Sequence, residues 1–525
     1  MDRQHSDSEF SERRAIRPLS IIVIGAGIGG LAIGLCMRKT GHDVLILEKR
    51  QEITEVGAGI QVPPNAARIL RRFGMLEETM KYATVFEKNS LRRWKDGEEL
   101  SSVPLVDVED HYGAPLAAVH RADLQRILLD AAIGCGCEIL KDHEVVDVDE
   151  NFLPEVITFD RRILVRSRSI NRWMSADLIL AADGMSSIVR KRMALASGLD
   201  DQLVPAGESA YRFLLPRELI EHDELAMNLL DRNHGIRYMG PGGHIMAYPL
   251  RKNTLYNVVL VRKDDGKKLR KTTWTTQATS EEILEHYREW CPVIHALINR
   301  ASGSGILETP MNKMPPLPTW VKGKIALAGD ACHYMLPYVA QGAANALEDA
   351  ATLAMAFTCT DEIELALGLY QFIRKGRSEW IQASATRNGS TLHLPDGEEQ
   401  RRRDETIRAA SRGDGPNPDQ WNDKKAREFM WRVDVMAETI DKFDSLARET
   451  GITDVLAGVG RARLDDQLRF GHAHPTSDVC EDFGLGLVEA AFSELARASR
   501  EDEIFSEAIE KQLGGSLSDA CVEAT

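Results

Sequence analysis

Three glycines at the spacing G-x-G-x-x-G, namely Gly25, Gly27 and Gly30, are followed 18 residues later by Glu48. Residue types at this spacing hold a pyrophosphate. The first glycine allows a tight turn, the second lets the phosphates approach the backbone, and the third lets helix pack on strand. The helix that opens here offers free N–H groups and a partial positive charge. Glu48, ending the next strand, places a carboxylate where it can accept both hydroxyls of a ribose. The surrounding segment, "LSIIVIGAGIGGLAIGLCMRKTGHDVLILEKR", reads strand, glycine turn, helix, strand, which is the context the fingerprint needs. It implies a dinucleotide containing ADP and leaves NAD and FAD both open.

A second stretch, "GDACHYMLPYVAQGAANALEDA" from Gly329 to Ala350, begins as the apolar strand "GKIALAGDA" ends and finishes inside a helix. Its small residues let a flat or charged group lie against the backbone, and a helix N-terminus there stabilises negative charge. A third, "ADLILAADGMSSIVRKRM", is a buried strand followed by Asp183, Gly184, Ser187, Val189 and Arg190. This resembles the D-G-x-x-S-x-V-R segment of flavoprotein aromatic hydroxylases. The Gly329–Asp330 stretch resembles their G-D segment, and "AVHRADLQRIL" resembles the arginine-bearing helix that reaches the flavin phosphates. With the landmarks in order over about residues 18 to 435, the chain is similar to the single-component FAD-dependent monooxygenases that include salicylate hydroxylase and its fungal relatives.

The resemblance implies FAD as cofactor, with NADPH or NADH as transient cosubstrate and O2 as oxidant. Asp330, after Gly329, would accept a hydrogen bond from the ribityl chain, and Pro337 would wall the isoalloxazine ring. Gly342, Ala343 and Ala344 would turn N–H groups to the pyrimidine edge. Gly59 and Gln61 match the loop passing the flavin, Arg121 the arginine contacting phosphate or ribose, with Gln125 one turn on. Asp183 would lie near ribose and pyrophosphate, and Arg190 would serve the nicotinamide nucleotide. The implied reaction is hydroxylation of a phenolic or salicylate-like ring through a flavin C4a-hydroperoxide, in fungal secondary metabolism or aromatic catabolism.

Such a reaction needs the ring hydroxyl polarised or deprotonated. Arg212 would hold a phenolate or carboxylate, and Tyr248 and His244 would relay the proton. Each has a plainer reading: Arg212 as an exposed strand charge, Tyr248 as a half-buried strand aromatic, His244 as a turn residue. Epoxidation, another FAD-dependent oxidation, and a non-catalytic flavin-binding interaction protein remain alternatives. A disulfide reductase is disfavoured, because no cysteine lies between Met37 and Gly134; a halogenase lacks its W-x-W-x-I-P stretch.

The elements that must position these groups follow from hydropathy. Residues 1–17, charged and without an apolar core, read as a disordered arm. The FAD-binding domain is expected over 18–181 and 308–387. The substrate domain, 182–307, starts at the Asp-Gly segment and alternates in "HIMAYPL" and "TLYNVVLV" as antiparallel strands do. Residues 388–430 read as linker or loop with a helix, being rich in Gly, Pro and charge. Residues 431–525 read as a helical extension of unknown role, with Leu485, Val488, Phe492 and Leu495 on one face. The expected fold class is therefore α/β: a Rossmann-like FAD-binding domain with an inserted antiparallel-sheet substrate domain and a helical C-terminal extension.

The bulk properties narrow the partners to small molecules. A net charge of -15 over 525 residues repels a phosphate backbone, which excludes a nucleic-acid partner. No apolar run reaches the ~18 residues of a membrane span. The N-terminus lacks the apolar core of a signal peptide. Eight unpatterned cysteines suit a reducing, cytoplasmic setting. The close pair Cys135 and Cys137 reads as structural, and "FGHAHP" sets two histidines apart on a helix, so no metal is expected. A homodimer built through the C-terminal extension stays open.

Overall fold

The computed structural model describes residues 7–53, 58–160, 171–200, 203–264, 276–303 and 305–450. Its first layer is a six-stranded sheet in the order Val321–Lys322, Ile325–Leu327, Leu178–Ala181, Ser20–Ile24, Asp43–Glu48, Glu138–Lys141. All its pairings are parallel except the one joining the first two strands. The apolar runs that form it are buried on both faces, as parallel strands covered by helices must be. The helix Ile28–Lys39 crosses between the strands Ser20–Ile24 and Asp43–Glu48. The long helix Gly342–Cys359 packs beside it, its Ala346 Cβ only 3.4 Å from where a Cβ on Gly29 would stand.

The second layer is an eight-stranded sheet in the order Thr276–Ala278, Ile306–Lys313, Val204–Pro216, Leu255–Lys263, Gly243–Leu250, His234–Gly240, Lys88–Arg93, Glu99–Pro104. Alternation assigns its two faces. Tyr211, Phe213, Ile245, Val258 and Leu260 pack on a helical cover that includes Ile283, Ile294 and Leu297. The opposite face carries Ala210, Tyr248 and Val261 against Leu336, Tyr338, Trp421 and Trp431. The antiparallel region expected over 182–307 is thus wider than the sequence suggested. It recruits Lys88–Arg93 through a parallel pairing with His234–Gly240, and Glu99–Pro104 beyond it. Local periodicity identifies a strand but carries no information about a partner over 140 residues away.

Two polar segments are also packed rather than free. The arm expected to be disordered forms a helix, Asp7–Glu12, and buries Phe10, over which Arg72 stacks at 3.8 Å. The segment 388–430 continues the helix Ile363–Leu392, adds the helix Glu398–Ser411, and buries Asn388, Asp419 and Trp421. Its polarity is consumed internally. Asn388 donates to the Tyr338 carbonyl, and Asp419 pairs with Arg237. Of the C-terminal extension, the helix Val435–Thr450 packs on the first layer through Val435, Met436 and Ile440. Leu485, Val488, Phe492, Leu495 and the "FGHAHP" histidines lie outside the described residues. Among the described residues no helix is long and apolar enough to cross a membrane.

Candidate active site

The glycine turn is closed by backbone contacts that tolerate no side chain. Gly25 adopts φ +98°, and a Cβ on it would lie 2.6 Å from the Ala182 carbonyl oxygen; one on Gly30 would lie 1.9 Å from that of Gly25. Gly27 caps the helix Ile28–Lys39 without any side-chain hydrogen bond, so the first N–H groups are left for a ligand. Glu48 Oε2 accepts from Ala26 N at 2.8 Å, and its Oε1 from Arg50 N at 2.9 Å. Each oxygen retains acceptor capacity for a ribose hydroxyl.

Gln125 sits directly beneath this turn. Its Nε2 donates to the Ala26 carbonyl at 3.0 Å, so the side chain braces the loop. Asp183 turns to its own segment: Oδ2 accepts from Ile188 N at 2.8 Å, the first N–H of the helix Ile188–Ala196, while Oδ1 is sealed without a partner. Burial pushes this carboxyl up, against the hydrogen bonds from Ser187 and the backbone. Arg190, expected to meet a nicotinamide nucleotide, is buried and donates to the carbonyls of Met185 and Ala331. It ties the Asp-Gly segment to the Gly329–Asp330 turn. Arg121 opens its helix with its own N–H bonded to the Ala58 carbonyl at 3.1 Å.

Gly329 lies at φ +62°, and its N–H reaches Asp349 Oδ2 at 2.8 Å. Asp349 also meets His333 Nε2 at 2.7 Å and Arg374 at 2.9 Å; Arg374 bridges to Glu348, which Arg377 holds at 2.8 Å. This buried ion network fixes the turn and the helix Gly342–Cys359 together. Beyond the turn, Asp330 is half-buried, Pro337 is exposed, and Gly342 and Ala343 are partly open. Gln341 caps the helix without a side-chain bond, and its own Nε2 is buried and unpartnered. A Cβ on Gly342 would meet nothing within 4 Å. Because Gly29 and Ala346 touch, the uncapped N-termini of two helices lie side by side. Orphan donors along an open, small-residue bed fit a bound FAD.

The three candidate substrate residues share one face of the eight-stranded sheet. Arg212 pairs in register with Val259, which pairs with Met246, midway between His244 and Tyr248. Arg212 Nε is sealed and unpartnered, and no carboxylate pairs with Arg212 among the described residues. Burial lowers its proton affinity, while the phenols of Tyr334 and Tyr248 act in the opposite direction. Tyr248 is buried against Gly59, where a Cβ would come within 2.6 Å of its Cε2, and Gly59 N donates to Asn257 Oδ1 at 2.8 Å. Gln61 Oε1 accepts from Trp421 Nε1 at 3.2 Å, so segment 388–430 reaches the strand Gly59–Val62. His244 is buried, and burial first, then His393 and Arg237, hold its imidazole well below the usual range.

Sequence reasoning missed Glu208, Tyr338 and His393. His244 Nδ1 lies 2.7 Å from His393 Nε2, His393 Nδ1 lies 2.7 Å from Glu208 Oε1, and Tyr338 donates to Glu208 Oε2. Tyr338 follows Pro337 within the Gly329–Ala350 stretch, and Glu208 stands on the same strand as Arg212, four residues before it. No signal marked His393, which belongs to the segment read as a linker.

The FAD binding domain family matches residues 19–361. The FAD-dependent monooxygenase atnJ of Arthrinium sp is 35% identical, covering 77% of this chain and 91% of that one. The 3-hydroxybenzoate 6-hydroxylase 1 of Aquipseudomonas alcaligenes is 32% identical over 69% of this chain and 86% of its own. A solved salicylate hydroxylase substrate complex superposes with a TM-score of 0.64 at 24% identity, covering 81% of this chain and 98% of that one, a likeness of fold.

Proposed function

The chain belongs to the FAD binding domain family and is an FAD-dependent monooxygenase, and from that premise we propose that it hydroxylates an aromatic ring bearing a phenol or carboxylate. The observation carrying this reading is Arg212, partly buried with a sealed, unpartnered Nε and no carboxylate partner among the described residues, beside Tyr248 and Tyr334. An unpaired buried cation is costly unless a ligand's negative charge completes it. The chemistry a bound FAD would supply is acceptance of hydride from NAD(P)H and activation of O2. The protein's own groups do the rest.

Arg212 binds the phenolate or carboxylate, in bidentate fashion where the geometry of the anion allows. Tyr248, held upright by Gly59, orients the ring through its hydroxyl. His244, kept neutral by burial, accepts the phenolic proton so that the ring becomes electron-rich. Tyr338, Trp421 and Trp431 exclude water from that face. A relative named for hydroxylating 3-hydroxybenzoate supports a ring that carries both groups.

The test is anaerobic bleaching of the bound flavin by NADPH and NADH, with and without a panel of phenols and aromatic acids. Strong acceleration by one ligand, followed on admitting oxygen by its hydroxylated product, is expected. Equal bleaching with every ligand, and peroxide as the sole product, would overturn the aromatic reading.

A further inference from the structure

The face that carries Arg212 and Tyr248 also holds a polar chain that neither flavin binding nor anion binding requires. Glu208 lies on the strand Val204–Pro216, His244 on Gly243–Leu250, Tyr338 just past the flavin wall, and His393 at the end of the helix Ile363–Leu392. We propose that Glu208 and His393 are positioning residues that hold His244 with a free Nε2 lone pair and draw the substrate's proton away through its Nδ1 edge. The proposal rests on the aromatic-hydroxylation reading above and names the residues that make its base work.

Hydrogen-bond capacity alone dictates the tautomers. An ionised Glu208 can only accept, so it takes the Tyr338 O–H at Oε2 and the His393 Nδ1–H at Oε1. A neutral His393 with its proton on Nδ1 has an acceptor at Nε2. His244 must then donate through Nδ1 across the 2.7 Å contact, which leaves its own Nε2 as a lone pair. No residue among those described hydrogen-bonds that Nε2. The hydrogen bond to the other ring nitrogen decides which nitrogen of a histidine is basic, and here the decision passes from a carboxylate through a second imidazole.

The proton balance closes without a further reactant. His244 Nε2 accepts the proton of the substrate hydroxyl; the Nδ1 proton of His244 moves to His393 Nε2. The result is a His393 imidazolium beside the Glu208 carboxylate and a neutral His244 carrying its proton on Nε2. No net charge is placed on His244, which is the buried member and feels the Arg237 cation. Arg237 is itself engaged by Asp419 at 3.0 Å. The charged groups facing Glu208 from the neighbouring strands are Lys263, its register partner, and Lys313. Burial alone would raise the Glu208 carboxyl, but His393 and Tyr338 hold it below the usual range, so the anion persists at neutral pH. Tyr338 packs edge-on to both imidazoles, with centroids at 4.9 and 5.4 Å, and fixes the ring planes.

The deciding experiment is two-bond 1H–15N correlation spectroscopy on FAD-loaded protein labelled with 15N at histidine. Assignment comes from the signals lost in His244→Gln and His393→Gln. At high pH both rings are expected neutral with protons on Nδ1. On acidification the pair should take up one proton in a single step that switches His244 to the Nε2–H form. His244 bearing its proton on Nε2 at high pH, or two rings titrating independently, would overturn the proposal. A second readout needs no assignment. Glu208→Gln keeps an acceptor but removes the charge, so the relay should hold a proton less tightly. The acid limb of the kcat profile should then move to lower pH while the plateau falls about 100-fold, within the usual span for general-base catalysis, and KM stays nearly constant. Glu208→Asp should recover part of the rate. A fall in kcat with the limb unmoved sinks the relay. Because the spectra need no substrate, failure of the aromatic reading would show separately, as a flavin that no phenol or aromatic acid helps to reduce.

Discussion

Gly59 lies flat against the ring of Tyr248, so closely that a Cβ at position 59 would stand 2.6 Å from Cε2 and 2.8 Å from the phenolic oxygen. The strand Gly59–Val62 and the strand Gly243–Leu250 are therefore in direct contact. Gly59→Ala should cost about 1–3 kcal/mol, the usual penalty of overpacking, read as a lowered Tm. Tyr248→Phe should not relieve it, because the ring carbons clash as well as the hydroxyl. Tyr248→Ala should, so the double variant is expected to be more stable than the sum of the two single changes predicts. Simple additivity would mean the loop yields instead.

Arg212 invites a test that separates binding from folding. Replacing an uncompensated buried cation with an apolar side chain of similar length is often neutral or stabilising. Arg212→Met should therefore keep or raise the Tm while weakening the anionic aromatic ligand about 10- to 100-fold, the worth of one charged hydrogen bond. Arg212→Lys is not expected to restore binding where the contact is bidentate. A large loss of stability in Arg212→Met would show a structural role.

The ion network beneath the flavin bed sets a pH dependence. Burial alone would raise the carboxyls of Glu348 and Asp349, yet Arg377 and Arg374, and His333 with Arg374, hold them below the usual range. A depressed carboxyl stabilises the fold above its unfolded pKa, and that contribution is lost as pH falls through the folded value. Unfolding free energy should thus be steady near neutrality and decline below about pH 4, the ordinary carboxylate range. Asp349→Asn should flatten the decline. Arg374→Met, which leaves Glu348 to Arg377 and Asp349 to His333, should cost at most about 3–5 kcal/mol at neutral pH and release flavin; denaturant titrations at several pH values check both.

Arg72 joins three segments. It forks onto Asp434 at 2.6 Å through both terminal nitrogens, meets Asp7 at 2.8 Å, and stacks on Phe10. Arg72→Met should cost more than the ~1 kcal/mol of an exposed pair and less than the ~3–5 kcal/mol of a fully buried one. Limited proteolysis should then cut within residues 7–17 well before the rest of the chain. Unchanged cleavage would mean that Phe10 alone anchors the arm.

What could be read from the chain, and what could not, divides at the range of the interaction. Gly25, Gly30 and Glu48 were legible because a tight turn, a helix start and a strand end all lie within one local unit. Arg212, His244 and Tyr248 share a face that strand alternation implies once the strands are recognised. Gln125, Asp183 and Arg190 stand in motifs whose spacing says where a side chain is rooted but not which partner it takes. Asp183 turned to its own segment, while Gln125 and Arg190 reached the carbonyls of Ala26 and Ala331 on distant segments. Composition was a poor guide for residues 7–17 and 388–430, since a buried polar group that finds its partner looks the same in sequence as one that faces water.

The sequence by itself determined a dinucleotide-binding turn, a small-residue bed after Gly329 and a strand-rich insertion, because each is written in spacings of a few residues. Only the tertiary structure decided that Glu208, Tyr338 and His393 meet at His244. Hydrogen bonds between side chains 185 and 149 residues apart depend on how the layers pack, and no local pattern encodes that packing.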